Sequence, residues 1–272
     1  MAPGAADRCR TGISIFAVLA VLVTGCAPPA SPDPDAAPDG PWPVTVDPES
    51  GAAGVPVDKV IRVRFSGHLD ERTLEAGLLT LRSGTISMWV MSYYDPIRGE
   101  LVVWPSGRLR QYATWVFRIE AGLAGIDGGE VAAGTVTSFR TGDEAGDDHP
   151  FDVLNSHAHV RPIFDAACAS CHGGPGAPIA GLALDSAAGV SSTLLGAPAD
   201  GWPGWKRAAP GRPGESYLLY KLIGDERIAG SRMPRSFEGD GAAAPLPFSD
   251  RVRISDWLAG GASFVDPSSA QD

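Results

Sequence analysis

The chain has 272 residues, and its 34 glycines and 24 prolines, about a fifth of the total, exclude a coiled coil or a long helical bundle. With 44% hydrophobic and 20% charged residues the composition is globular, and the length fits two modest domains of about 100–200 residues each. Lys and Arg number 22 against 32 Asp and Glu, a formal charge of −10, which excludes a nucleic-acid binder that works by neutralising phosphates.

Residues 1–25 read as an export signal. Arg8 and Arg10 precede an apolar run from Ile13 to Val23, eleven residues long and too short to cross about 30 Å of hydrocarbon as a stable helix. The run ends in Val23, Thr24, Gly25 and Cys26, which resembles the lipobox of bacterial lipoproteins. That resemblance implies that Cys26 is acylated, becomes the mature N-terminus and anchors the chain in an envelope membrane. Ala27, where many inner-membrane lipoproteins carry Asp, leans the expectation toward the outer membrane. Residues 26–41 are Pro, Asp and Ala with little to bury, a disordered tether. At about 3.1 Å per residue its extended form holds the folded part up to about 45 Å from the lipid.

Residues 42–141 have the period of half-buried strands. Ile61, Val63 and Phe65 alternate with Arg62 and Arg64, and Trp115, Phe117 and Ile119 alternate with Val116, Arg118 and Glu120. Further short apolar runs at Leu78–Leu81, Ser87–Met91, Leu101–Trp104 and Thr135–Thr141, separated by Gly, Pro or Asp, complete an all-β sandwich. Val55 and Pro56 in a GVP turn, Phe65-Ser66 at a strand end and Phe139-x-Thr141 at the close resemble the bacterial Ig-like domain of surface-layer and envelope proteins. The resemblance implies a spacer or adhesion module without catalytic residues. His68, Trp89, Tyr93, Tyr94, Trp104 and Trp115 admit carbohydrate stacking, but aromatic residues fill sandwich cores for packing reasons alone, and core and loop packing is the expectation. Residues 142–150 contain Asp143, Glu144, Asp147 and Asp148, whose spacing fits no EF-hand loop and predicts a solvated linker.

Residues 151–265 carry the chemistry, in Cys168, Ala169, Ser170, Cys171 and His172. Two thiols three positions apart on one helical turn are spaced to form thioethers to the two vinyl groups of a haem, and the imidazole that follows is directed at its iron. Three other readings use the same residues. A thioredoxin-like CxxC wants a βαβ setting, whereas an amphipathic run and a GGPGAPIAG loop flank this one. A tetrahedral zinc site wants a fourth ligand, and no Cys follows Cys171. A disulfide between Cys168 and Cys171 leaves His172 unexplained.

The segments PIFDAACASCHGG, PGRPGESYLLYKL, SRMP and ISDWLAGGA resemble a class I cytochrome c, of the single-haem type found in planctomycete and myxobacterial envelope proteins. The resemblance implies an all-α fold, one covalent haem c on Cys168 and Cys171, His172 as proximal iron ligand, and Met233, which precedes Pro234, as distal ligand. His157 and His159 are alternative distal ligands, and an open sixth position is a third possibility. Helices are expected from Ser156 into the CxxCH, from Ser216 to Leu222, and from Ser249 as N-cap to Gly260. Phe164 and Trp257 are expected to meet where the first and last helices cross. Tyr217, Trp202, Trp205 and Arg232 are candidate partners for the haem propionates. Residues 266–272 are expected to be a disordered tail.

The function expected is outer-sphere electron transfer with redox proteins of the envelope, as a carrier rather than a catalyst, with no nucleic-acid partner. The alternatives are a haem peroxidase or gas sensor with an open sixth site, and a surface adhesion protein led by the Ig-like domain.

Overall fold

A computed structural model describes residues 44–131, 134–152, 155–174, 176, 178–235 and 244–265. The export signal, Cys26, the tether and the C-terminal tail lie outside them.

Among the described residues eight strands form two antiparallel four-stranded sheets: β1 (Val44–Asp47), β2 (Ile61–Phe65), β6 (Glu100–Pro105) and β5 (Val90–Asp95) in that order, and β4 (Ile86–Met88), β3 (Leu79–Ser83), β7 (Thr114–Ile119) and β8 (Thr135–Arg140). Alternation decides which face of each strand is buried. Ile61 and Val63 go inward while Arg62 and Arg64 stay at the surface, and Trp115, Phe117 and Ile119 go inward while Arg118 is exposed. These residues share one core with Leu81, Leu101, Val103 and Phe139. The Ser87–Met91 run, expected as one strand, is two, because the chain crosses from one sheet to the other at Trp89, which is 81% exposed. Tyr93, Tyr94 and Trp115 are core side chains, which favours packing over carbohydrate stacking for them.

The acidic segment is tied to the sandwich through Asp148 and its backbone, while Asp143, Glu144 and Asp147 stay exposed. Asp148 accepts hydrogen bonds from Lys59 (3.2 Å) and Arg62 (2.8 Å), the Gly146 N–H donates to Asp58 at 2.6 Å, and the Val57 N–H donates to the Glu144 carbonyl at 2.9 Å. The Tyr93 hydroxyl donates to the Pro150 carbonyl.

Four α-helical segments follow: α1 (His157–Ala167), α2 (Ala187–Gly189), α3 (Tyr217–Ile223) and α4 (Phe248–Ala259). Ser156 N-caps α1 and Ser216 N-caps α3, as their sequence predicts. Ser249 does not cap α4. The Pro247 carbonyl accepts the first helical bonds, from the N–H groups of Asp250 and Arg251, and the N-cap falls two residues earlier than expected. Val160, Ile163 and Phe164 of α1 pack with Leu219 and Leu222 of α3 and Ile254, Trp257 and Leu258 of α4 in a second core.

This core is not sealed off from the sandwich. Ile97, in the turn between β5 and β6, is part of it, and Val60, Tyr93 and Val102 of the sandwich bury Ala259 of α4. The described residues form one compact unit.

Candidate functional site

The CxxCH does not lie within α1, as expected, but in the turn that ends it. The helix stops at Ala167, Cys168 is its C-cap, and the Cys168 and Ala169 N–H groups both donate to the Phe164 carbonyl at 2.9 Å. The Cys168 carbonyl then accepts the N–H groups of Cys171 (3.1 Å) and His172 (2.9 Å). This turn gathers both sulfurs and the imidazole at one end of the helix. Both cysteines are free thiols and half-buried. Burial, with Cys171 beside it, pushes the Cys168 thiol up to about 11, so it is protonated at neutral pH.

His172 is held at three points. Its N–H donates to Cys168, its carbonyl accepts the Leu184 N–H at 2.6 Å, and its Nδ1 lies 3.0 Å from the Ile179 carbonyl. A carbonyl oxygen only accepts, so Nδ1 carries a proton, and in the neutral imidazole the lone pair is then on Nε2. An imidazole oriented through Nδ1 in this way is prepared to ligate a metal through Nε2.

The loop that supplies this carbonyl is itself fixed. The Ile179 N–H donates to the Cys171 carbonyl at 3.1 Å, the Gly174 N–H to Asp185 at 2.8 Å, and the Arg207 guanidinium to the carbonyls of Ala180 (2.8 Å), Gly181 (3.1 Å) and Thr193 (3.0 Å). Gly173 has no room for a side chain, since a Cβ there meets the Asp185 Cβ at 2.7 Å and the Ala169 carbonyl oxygen at 2.8 Å. Neither Ile179, Arg207 nor Gly173 was singled out from sequence. Ile179 acts through its backbone, so its side chain carries no signal.

Met233 is half-buried in the segment after α3. Its N–H donates to the Lys221 carbonyl at 2.9 Å, and the Lys221 ammonium donates to the carbonyls of Ala229 (2.9 Å) and Ser231 (2.6 Å). Residues 229–233 are thereby bound to α3, whose Leu222 shares a core with Cys168. His157 and His159 sit at the far end of α1. Eleven residues of helix at about 1.5 Å each span about 16 Å between that end and the thiols. His157 lies against Phe264 (centroids 4.8 Å apart, rings tilted at 37°), with its pKa lowered by burial, and His159 Nδ1 accepts the Ser156 N–H at 3.2 Å.

The candidate propionate partners have other contacts. Trp202 stacks on Trp205 at 4.5 Å, and the Tyr217 hydroxyl accepts the Ala229 N–H at 3.0 Å. Among the described residues no three His, Cys, Asp or Glu side chains gather as a metal site, and no helix is long and apolar enough to cross a membrane. Two free thiols and an imidazole with its Nε2 lone pair available form a donor set that suits two thioether bonds and one axial ligand.

The sequence of residues 39–141 matches the bacterial Ig-like domain family, in agreement with the sandwich, so the N-terminal part of the chain is an Ig-like β-sandwich. No curated protein matches the chain. Among solved structures it is similar to the N-terminal part of the bacterial S-layer protein SbsC (12% identity, 34% of this chain and 23% of that one, TM-score 0.28). It is also similar to CopC from Methylosinus trichosporium OB3b (12% identity, 40% of this chain and 98% of that one, TM-score 0.30) and to an L,D-transpeptidase from Mycobacterium smegmatis (22% identity, 38% and 41%, TM-score 0.26). The chain spans less than a quarter of the S-layer structure.

Proposed function

We propose that this chain is an envelope c-type cytochrome, a class I fold behind the Ig-like sandwich, that carries single electrons through one covalently attached haem. The observation that carries the reading is the turn at the end of α1, where Cys168 and Cys171 are free and His172 Nδ1 faces the Ile179 carbonyl at 3.0 Å. In this reading Cys168 and Cys171 would hold the porphyrin through their sulfurs, and His172 and Met233 would hold its iron. When bound, the haem supplies a one-electron Fe(II)/Fe(III) couple, and a thioether ligand raises its potential relative to a second imidazole.

The protein's own contribution is orientation. Ile179 fixes the tautomer of His172, Arg207 fixes the loop that carries Ile179, and Lys221 fixes the segment that carries Met233. We place the protein in the cell envelope, anchored by lipid on Cys26, with redox proteins as partners and the sandwich packed against the redox domain.

The test is a pyridine haemochrome assay on the full chain produced with a cytochrome c maturation system. One covalent haem per chain is expected, absent from the Cys168→Ala, Cys171→Ala double variant. Met233→Ala is expected to keep the covalent haem and turn it into a high-spin, cyanide-binding form. Purified protein without covalent haem overturns the reading, and an unaltered spectrum in Met233→Ala overturns the axial assignment alone.

A further inference from the structure

Where the helical part meets the sandwich, six aromatic side chains form a continuous series. Trp202 stacks on Trp205 with centroids 4.5 Å apart, Trp205 meets Tyr220 edge-on at 5.3 Å, Tyr220 meets His68 at 5.6 Å, and His68 meets Tyr94 at 6.2 Å; Tyr217 flanks Trp202 at 6.0 Å. Trp202 is half-buried, whereas Trp205, Tyr220 and Tyr94 are buried. The series runs from an accessible indole to a phenol in the interior.

The phenols differ in what their hydroxyl groups face. Tyr220 donates to the Gly214 carbonyl at 2.9 Å and Tyr93 to the Pro150 carbonyl. A carbonyl oxygen is a poor proton acceptor, so one-electron oxidation of either phenol strands its proton. The Tyr94 hydroxyl lies 3.0 Å from His68 Nδ1. With the neutral imidazole carrying its proton on Nε2, the nitrogen that faces Asp225, Nδ1 accepts from the phenol. Burial keeps His68 neutral and able to take that proton, and Asp225 Oδ2 stands 3.8 Å from His68 Nε2 to face the cation that results. Among the buried tyrosines Tyr93, Tyr94 and Tyr220, Tyr94 alone is paired with a base.

The charges at the other end give the series a direction. The Arg72 guanidinium lies 5.0 Å from the Trp205 ring centroid, and that of Arg227 lies 5.9 Å from Trp202. A guanidinium over an aromatic face is attracted to a neutral ring, and the same proximity repels a ring that has lost an electron. A positive hole is therefore disfavoured on the two indoles. At Tyr94 the phenol stays neutral overall, because its proton leaves as the electron does.

We propose that Tyr94 and His68 form a redox-active tyrosine–histidine pair, fed by Trp202 and Trp205, that collects oxidising equivalents delivered by small one-electron radical oxidants at the protein surface. The oxidant gains one electron and becomes its anion. An indole loses that electron and regains it from Tyr94, which becomes a neutral phenoxyl radical, and the phenolic proton passes to His68 Nδ1. This inference is independent of the haem reading.

The test generates azide radicals by pulse radiolysis in solutions of the full chain carrying Trp89→Phe, which removes the most exposed indole among the described residues. Absorbance follows the indolyl radical, and freeze-quenched electron paramagnetic resonance identifies its product. Decay of the indolyl signal into a tyrosyl signal is expected at a first-order rate independent of protein concentration. Tyr94→Phe is expected to abolish the product, and His68→Gln to slow its formation at least about a hundred-fold, the usual contribution of a positioned base. A ring-fluorinated tyrosine at position 94, which keeps the packing, is expected to add fluorine hyperfine splitting to the radical. A tyrosyl signal unchanged by both substitutions at position 94, or a hole that remains on the indoles, overturns the proposal.

Discussion

The rings of Phe164 and Trp257 meet edge-on, with centroids 6.0 Å apart and planes at 75°. This contact joins α1 to α4, and neither side chain has any solvent exposure. Trp257 Nε1 donates to the Ser263 carbonyl at 3.0 Å, so the indole is satisfied at its polar edge as well as buried on its faces. Trp257→Ala removes a large core side chain that cannot be replaced by collapse between two helices, and a loss of about 3–5 kcal/mol is expected. Urea denaturation followed by far-ultraviolet circular dichroism measures it; a loss within experimental error means that this helix crossing does not hold the second core.

Arg98 joins the sandwich to α4. Its guanidinium donates to Asp256 at 2.7 and 3.0 Å and also contacts Asp95, which is fully buried and accepts the Ser255 hydroxyl at 2.8 Å. Two carboxylates thus share one cation at the seam between the cores. Arg98→Met leaves them facing each other unneutralised, with an expected cost of about 2–4 kcal/mol, below the full value for buried pairs because the Arg98 side chain keeps 24% exposure. The wild-type chain is expected to unfold in one transition and the variant in two, which differential scanning calorimetry resolves. A single unshifted transition in the variant means that the seam is held by apolar contact alone.

Local patterns in the sequence predicted what local physics determines. The alternation at Ile61 and Val63 predicted the inward face of β2, Ser156 and Ser216 marked two helix starts, and the apolar stripe of α1 put Phe164 on its buried face, whereas its meeting with Trp257 was implied only by the resemblance to class I cytochromes c. The failures are non-local. The apolar run continues through Trp89 while the chain changes sheets, so no sequence signal marks the crossing. Asp148 looks like part of a solvated charge run, because its partners Lys59 and Arg62 come from nearly ninety residues earlier. At the candidate site the thiols and imidazole are legible from spacing, but the Ile179 carbonyl that orients His172 is a backbone atom, which every residue possesses.

Glu71 gives the seam a pH dependence. It is 1% exposed, its Oε2 has no hydrogen-bond partner, and it packs against Gly214, where a Cβ would meet Oε2 at 2.7 Å. Burial pushes its carboxyl up to about 8 from an ordinary 4.5, with Arg212 opposing the shift. Below pH 4.5 the group is protonated folded or unfolded and costs nothing. Above that the unfolded chain ionises while the folded chain keeps its proton, so stability falls as pH rises until the folded group also ionises near 8. The slope is at most about 1.4 kcal/mol per pH unit. Glu71→Gln is expected to remove this loss and to be more stable than wild type at pH 8. Urea midpoints at pH 5 and pH 8 for both proteins measure it, and an equal fall in the two assigns the dependence to other groups.

Gly173 tests whether the turn after His172 is as tightly specified as its hydrogen bonds imply. A methyl group there collides with the Asp185 Cβ and with the Ala169 carbonyl, a backbone atom of the CxxCH turn itself. Asp185 has some freedom to yield, although its carboxylate accepts the Gly174 N–H at 2.8 Å; Ala169 is fixed between Cys168 and Cys171. Overpacking of this kind costs about 1–3 kcal/mol. Relief of the clash has to come from a shift of residues 169–173, which moves His172 away from the Ile179 carbonyl. Gly173→Ala is therefore expected to lower the melting temperature and, in protein produced with the maturation system, to reduce covalent haem per chain, whereas Gly174→Ala, where a Cβ meets nothing within 4 Å and only a positive φ of 87° is strained, is expected to act on stability more than on haem content. Equal haem content in Gly173→Ala and wild type means that the turn tolerates displacement and that the orientation of His172 does not depend on it.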